Sequence, residues 1–287
     1  MEIGKVIDMH GEQEAPGEEH FISASKLFSM KIQPMRWAIR GLVEQAGFVI
    51  LGGEPKTSKS WVALEWAISF SSGTEAFGDL NFTTPTVEGP VALFMMEDGV
   101  SNIQARVSAL ARPKGLDPSK LPMNYRFRQS LNLSNDGHVD WCIKSLGSLM
   151  SKAEPGLVIF DPLRNIHTED ENDSKAMTKV TDSVRKIRDA TGASIVITHH
   201  LRKPTKGDTL SPGNAIRGTG ALYGACDGLV CMFADHSNKI EDSWVNTVHT
   251  RCKAGKEADP FNLTLEVKDG HHGRAHTAKW EVNSVQF

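Results

Sequence analysis

Residues 48–60 read Phe48-Val49-Ile50-Leu51-Gly52-Gly53-Glu54-Pro55-Lys56-Thr57-Ser58-Lys59-Ser60, and Trp61-Val62-Ala63-Leu64-Glu65-Trp66-Ala67-Ile68 follows. An apolar run ends in two glycines, a short polar loop follows, and then a helix-forming stretch begins, so the order is strand, loop, helix. The spacing Gly53-x-x-x-x-Ser58-Lys59-Ser60 is that of a phosphate-binding loop. Loop N–H groups and the positive end of the following helix can hold phosphate oxygens. Lys59 is placed to reach the β- and γ-phosphates of ATP, and the Ser60 hydroxyl to help hold Mg²⁺. The nucleotide-binding segment is therefore Gly53, Glu54, Pro55, Lys56, Thr57, Ser58, Lys59, Ser60 and Trp61. Ser58 stands where the pattern has its last glycine, and a positive φ there strains a serine.

Outward from this segment, strand and helix patterns alternate. Pro90–Met96 is a buried-type strand ending in Glu97-Asp98-Gly99, and 101–110 is an amphipathic helix. Tyr125–Arg128 suggests a short strand, and 137–152 a helix. Leu157-Val158-Ile159-Phe160-Asp161 is a strand with an aspartate at its end. Ser174 opens a helix that stops before Gly192, and 193–200 is a strand ending in His199-His200. Residues 202–214 are rich in Lys, Pro, Gly and Asp and read as a mobile loop. Strands are predicted at 228–233, 244–251, 261–267 and 279–282. The fold class is α/β, a mostly parallel sheet flanked by helices with antiparallel C-terminal strands. Residues 1–20 read as a flexible tail and 21–287 as one domain.

The 287 residues suffice for a substantial core, with 39% hydrophobic and 23% charged residues. A net charge of −3 argues against a basic nucleic-acid coat but leaves room for a local basic groove. The four cysteines lack paired spacing, which points to reduced thiols and a cytoplasmic protein. No secretory signal and no membrane-length apolar run is visible.

Beside the loop, Asp161 takes the Walker B position, holding Mg²⁺ through water. Glu97 ends another strand, where a carboxylate can orient and deprotonate an attacking water; Asp98 competes for that role. His199 ends a third strand, where a side chain can sense the γ-phosphate and couple it to the following loop. Strand side chains alternate, so only one of His199 and His200 can face the nucleotide.

Gly53-Glu-Pro-Lys-Thr-Ser-Lys-Ser-Trp61, Leu93-Phe-Met-Met-Glu-Asp98, Leu157-Val-Ile-Phe-Asp-Pro-Leu163, Thr198-His-His-Leu-Arg-Lys-Pro204 and Arg217-Gly-Thr-Gly-Ala-Leu-Tyr-Gly-Ala-Cys-Asp-Gly228 together resemble a known family. It is the RecA-like P-loop ATPases of the RepA-type hexameric replicative helicases, related to DnaB-like helicases and including plasmid and phage replication ATPases. The resemblance covers roughly residues 35–285. It implies a RecA-like core, ATP and Mg²⁺, a ring (a hexamer being the expected size) and single-stranded DNA in the channel. It further implies replication partners such as a primase, and no membrane.

On this resemblance Lys59, Ser60, Asp161 and Glu97 take the roles argued above, and His199 or His200 is the switch. The family's Lys-x-Arg finger, which acts on a neighbouring subunit's nucleotide, corresponds to Arg251-Cys252-Lys253, with the two types exchanged. Either residue can serve, the lysine as the poorer clamp. The loop after His200 matches the DNA-facing loop, so Arg202, Lys203 and Lys206 are the expected phosphate contacts. The expected activity is ATP-dependent translocation on DNA with unwinding. The rivals are a loader or regulatory ATPase without unwinding, and a signalling or defence ATPase that does not bind DNA.

Overall fold

The computed structural model describes residues 22–31, 35–83, 89–128, 130–151, 154–202, 212–218, 220–235, 243–253, 258–269 and 275–285. The tail expected at 1–20 lies outside the described residues, as do Lys203 and Lys206. The chain divides into two units, Met1–Pro34 and Met35–Phe287. In the first, a short helix α1 (Ala24–Ser29) is capped by Ser23, whose Oγ accepts from the Lys26 N–H at 3.2 Å.

The second unit opens with a ribbon of β1 (Trp37–Ile39) and β2 (Val43–Glu44), turning at Gly41 with φ 74°. This ribbon was not anticipated from the sequence, where two- and three-residue strands are too short for alternation to register. Then come β3 (Phe48–Gly53), α2 (Lys59–Ser72), β4 (Val91–Met95), α3 (Val100–Ala111) and β5 (Met123–Phe127). They are followed by α4 (Asp136–Gly147), β6 (Leu157–Asp161), α5 (Ser174–Thr191) and β7 (Ser194–His200). The chain continues through the short helices α6 (Pro212–Ala215) and α7 (Gly220–Ala225), and ends in β8 (Gly228–Ala234), β9 (Ser243–Cys252), β10 (Phe261–Asp269) and β11 (Ala275–Ser284).

These strands form one nine-stranded sheet ordered β11-β10-β9-β8-β3-β7-β6-β4-β5. From β8 to β5 every pairing is parallel, whereas β8–β9, β9–β10 and β10–β11 are antiparallel. Strands β3, β4 and β6 are buried along their whole length, because helices cover both faces; this is why they read as continuous apolar runs. The two faces bury separate clusters. Val49, Leu51, Ile159 and Val196 pack with α2 residues Val62, Trp66 and Ile68. Phe48, Ile50, Phe160, Ile195 and Ile197 pack with Val139 and Leu146 of α4 and Val180, Val184 and Ile187 of α5. Helices α2 and α5 both stop at a left-handed glycine, Gly73 (φ 69°) and Gly192 (φ 73°), the latter as its sequence break suggested.

Candidate active site

The phosphate loop, Glu97, Asp161 and the His199–His200 pair all lie at or just beyond the C-terminal ends of parallel strands, on one edge of the sheet. That edge is where open α/β sheets bind ligands. Strand β3 lies between β7 and β8 and delivers the loop at the point where the strand order reverses.

Ser58 has φ 62° and ψ 23°, the left-handed conformation that its glycine-replacing position implied, and Lys56 has φ 68°. A Cβ on Gly53 would drive into Thr57 Oγ1 and lie 3.1 Å from Lys59 Cγ, so this glycine is a steric requirement of the loop. The Thr57 hydroxyl donates to the Glu54 carbonyl at 2.8 Å and holds the turn. Lys59 is buried and donates from Nζ to the carbonyls of Gly53 (3.0 Å) and Glu54 (2.8 Å). Burial pushes its pKa down to about 8, against the opposing charges of Asp161, Glu97 and Glu54.

Asp161 is buried at the end of β6. Its carboxylate accepts a hydrogen bond from Thr198 Oγ1 of β7, and the Ser60 hydroxyl lies close by. Burial raises its pKa and the two hydroxyls oppose the rise. A serine hydroxyl close to a carboxylate at a phosphate loop is a pair of hard oxygen donors, which suits Mg²⁺. Among the described residues there is no cluster of three or more His, Cys, Asp or Glu side chains placed to hold a metal.

Met95 of β4 pairs with Asp161 of β6, so the chain leaving β4 carries Glu97 past the Asp161 carboxylate. Glu97 is exposed, and its pKa is raised by partial desolvation and then by the negative charges of Asp161 and Asp98. Asp98 is differently engaged: Arg106 Nη1 lies 2.6 Å from its Oδ2. Of the two carboxylates, Glu97 is the one left available to a water.

The two histidines separate by strand parity. Val196 packs on the α2 side and Ile195 and Ile197 on the α5 side, so Thr198 and His200 share the face of the phosphate loop while His199 lies behind. His199 is 2% exposed, and its Nε2 is 3.0 Å from the Arg217 carbonyl. His200 pairs with Gly53, and its pKa is lowered by burial and then by the charge of Lys59. The sequence expectation put His199 first; by geometry the side chain facing the loop is His200.

Arg202 lines a cavity of about 550 Å³ with Pro55, Arg164, His200, Leu201 and Arg217. Neither Arg164 nor Arg217 was given a role from the sequence, although Arg217 opens one of the segments that carry the resemblance. The base of the segment after Arg202 is pinned by the Leu201–Ile216 bridge and by the Arg202 N–H donating to the Ala215 carbonyl at 2.8 Å. Gly218 adopts φ 91°, and a Cβ there would come within 2.5 Å of the Glu171 carbonyl oxygen, which explains a glycine beside Arg217.

Arg251 and Lys253 lie away from these groups. Cys252 pairs with Gly228, and Gly228 with Val49, at the start of β3, whereas the phosphate loop leaves its end at Gly53. Four strand residues separate the two levels, about 13 Å along the sheet. The Lys253 N–H donates to the Asp227 carbonyl at 2.9 Å, and its Nζ lies 3.1 Å from the Gly224 carbonyl.

A family model described as AAA domain matches residues 14–206. Two solved structures share the fold. One is an ATPase domain, with TM-score 0.57 and 13% identity over 81% of this chain and 85% of that one. The other is described as a DnaB-like replicative helicase and its interactions with primase, also with TM-score 0.57 and 13% identity, over 82% of this chain. The chain spans 59% of that second structure's length. The fold is the RecA-like one. No helix among the described residues is long and apolar enough to cross a membrane.

Proposed function

Since the chain belongs to the AAA domain family and is an ATP-hydrolysing enzyme, we propose that it is a replicative translocase of the RepA type, driving single-stranded DNA through a ring of its own copies. The observation that carries the reading is the convergence of Lys59, the Ser60–Asp161 pair and Glu97 on one sheet edge, with Arg164, Arg202 and Arg217 around an adjoining cavity.

In this reading the loop 53–60 holds the ATP phosphates, and Lys59 exchanges its two backbone carbonyls for β- and γ-phosphate oxygens. Ser60 and Asp161 would hold Mg²⁺, which would supply positive charge to the phosphates as charge develops on them. Glu97 orients a water in line with the γ-phosphate and takes its proton; its raised pKa makes it a better acceptor. His200 senses the γ-phosphate, and its movement reaches the DNA-facing segment through Leu201 and Arg202. Arg202 holds DNA phosphates together with Lys203 and Lys206. Arg251 or Lys253 completes the charge set from a neighbouring copy, because it stands at the opposite end of the sheet from its own loop. Residues 21–287 act as one ATPase domain in the cytoplasm, and the assembly is a hexamer that can meet a primase.

A strand-displacement assay, run beside a salt titration of single-stranded DNA binding, tests the proposal. Unwinding and an affinity that falls steeply with salt support it. DNA binding without unwinding would make the protein a loader or regulatory ATPase. Absence of DNA binding at low salt would move it to a signalling or defence role.

A further inference from the structure

The turn carrying Glu97 is held from its neighbouring residue. Asp98 Oδ2 is 2.6 Å from Arg106 Nη1, in a pair whose side chains are only about a quarter exposed (25% for Arg106, 22% for Asp98). The same guanidinium lies over the Trp61 ring, with Cζ 5.4 Å from its centroid. Trp61 directly follows Lys59 and Ser60 in the first turn of α2. Arg128 supports the other side of the turn, with Nη2 donating to the Glu97 carbonyl at 3.1 Å.

We propose that Arg106 is a positioning residue for ATP hydrolysis, tying the Glu97 turn to the start of the phosphate-loop helix through Asp98 and Trp61. The inference rests on Glu97 being the base. Helix α3 has its own attachment to the core through buried Ile103, Val107 and Leu110, so the fold does not depend on Arg106. What Arg106 adds is local. It fixes where the turn ends relative to Lys59 and Ser60, and it neutralises a carboxylate beside the one that must accept a proton. Without it Asp98 is an unpaired charge next to Glu97, free to swing toward Lys59 or the metal and to draw the turn with it.

The test compares Arg106→Gln, Arg106→Lys and the double variant Arg106→Gln/Asp98→Asn in the full chain, with Glu97→Gln as reference, measuring kcat and the Kd for ATP separately. Far-ultraviolet circular dichroism confirms that each variant is folded. A misplaced base lowers turnover more than binding, so Arg106→Gln is expected to lose about tenfold in kcat with its ATP Kd within about twofold. Arg106→Lys keeps the charge but loses the planar fork, and falls between. The double variant removes the stray carboxylate and recovers part of the loss. Wild-type kcat in Arg106→Gln, an equal loss in binding and turnover, or no recovery in the double variant would overturn the proposal. Wild-type turnover by Glu97→Gln would instead overturn the assignment of the base, whatever the Arg106 variants did.

Discussion

The Thr198 hydroxyl donates to the Asp161 carboxylate across adjacent parallel strands, one step beyond the Phe160–Ile197 pair. Two hydroxyls therefore flank Asp161, that of Thr198 hydrogen-bonded to it from β7 and that of Ser60 close by in the phosphate-loop helix. Both border a buried carboxylate that would hold Mg²⁺ in the proposed mechanism. Thr198→Val keeps the shape and removes the donor. It should cost about 1–3 kcal/mol of stability and raise the Mg²⁺ concentration needed for turnover, while Thr198→Ser retains both. Denaturation and a Mg²⁺ titration check this; unchanged values in the valine variant would remove Thr198 from the site.

Burial of Lys59 makes the stability of the nucleotide-free protein depend on pH in a defined direction. Its pKa is about 8 in the folded chain, against the ordinary 10.5 of an unfolded one. Between these values the unfolded state binds more protons, so stability rises with pH in that window and the gain is lost as pH falls through 8. The difference amounts to roughly 3 kcal/mol. Lys59→Met lacks this titration. Denaturation without nucleotide should therefore show the wild type gaining on the variant as pH rises through that window, and parallel profiles would refute the shift.

Glu97→Gln should retain ATP but turn over about 10²–10⁴-fold more slowly, the usual loss on removing a general base. Asp98→Asn should be affected less, because Asp98 is occupied by Arg106. Single-turnover hydrolysis separates them. Normal activity in Glu97→Gln with collapse in Asp98→Asn would transfer the role.

How much of this was legible in the sequence follows from how local each feature is. The phosphate loop is written in consecutive residues, and even the left-handed Ser58 was announced by a serine in a glycine position. Asp161 was legible because a carboxylate ending a wholly buried strand needs a reason to be there. The choice between His199 and His200 was not, since it depends on which face of β7 meets α2, a matter of packing that adjacent histidines cannot encode. The Asp98–Arg106 pair was also hidden. It spans a strand-to-helix turn at a separation of eight residues, outside the i,i+3 and i,i+4 spacings that betray helical pairs. Arg164, Arg202 and Arg217 come together only once β6 and β7 are neighbours.

The proposed trans arrangement predicts complementation. Arg251→Ala and Lys253→Ala should each bind ATP nearly normally, and at least one should hydrolyse it poorly, since a cation arriving at the γ-phosphate favours the transition state over bound ATP. Mixing that variant with Lys59→Ala should restore some activity, because a mixed interface can pair an intact loop with an intact finger. Full hydrolysis by both single variants, or by a protein that stays monomeric with ATP and DNA, would exclude a shared site.

The most direct measurement is the steady-state rate of ATP hydrolysis with and without single-stranded DNA, for the wild type and for Lys59→Ala. The account predicts Mg²⁺-dependent hydrolysis that DNA accelerates in the wild type and that is absent from the variant under both conditions. A wild-type rate indifferent to DNA, or a Lys59→Ala rate equal to the wild type, would contradict it.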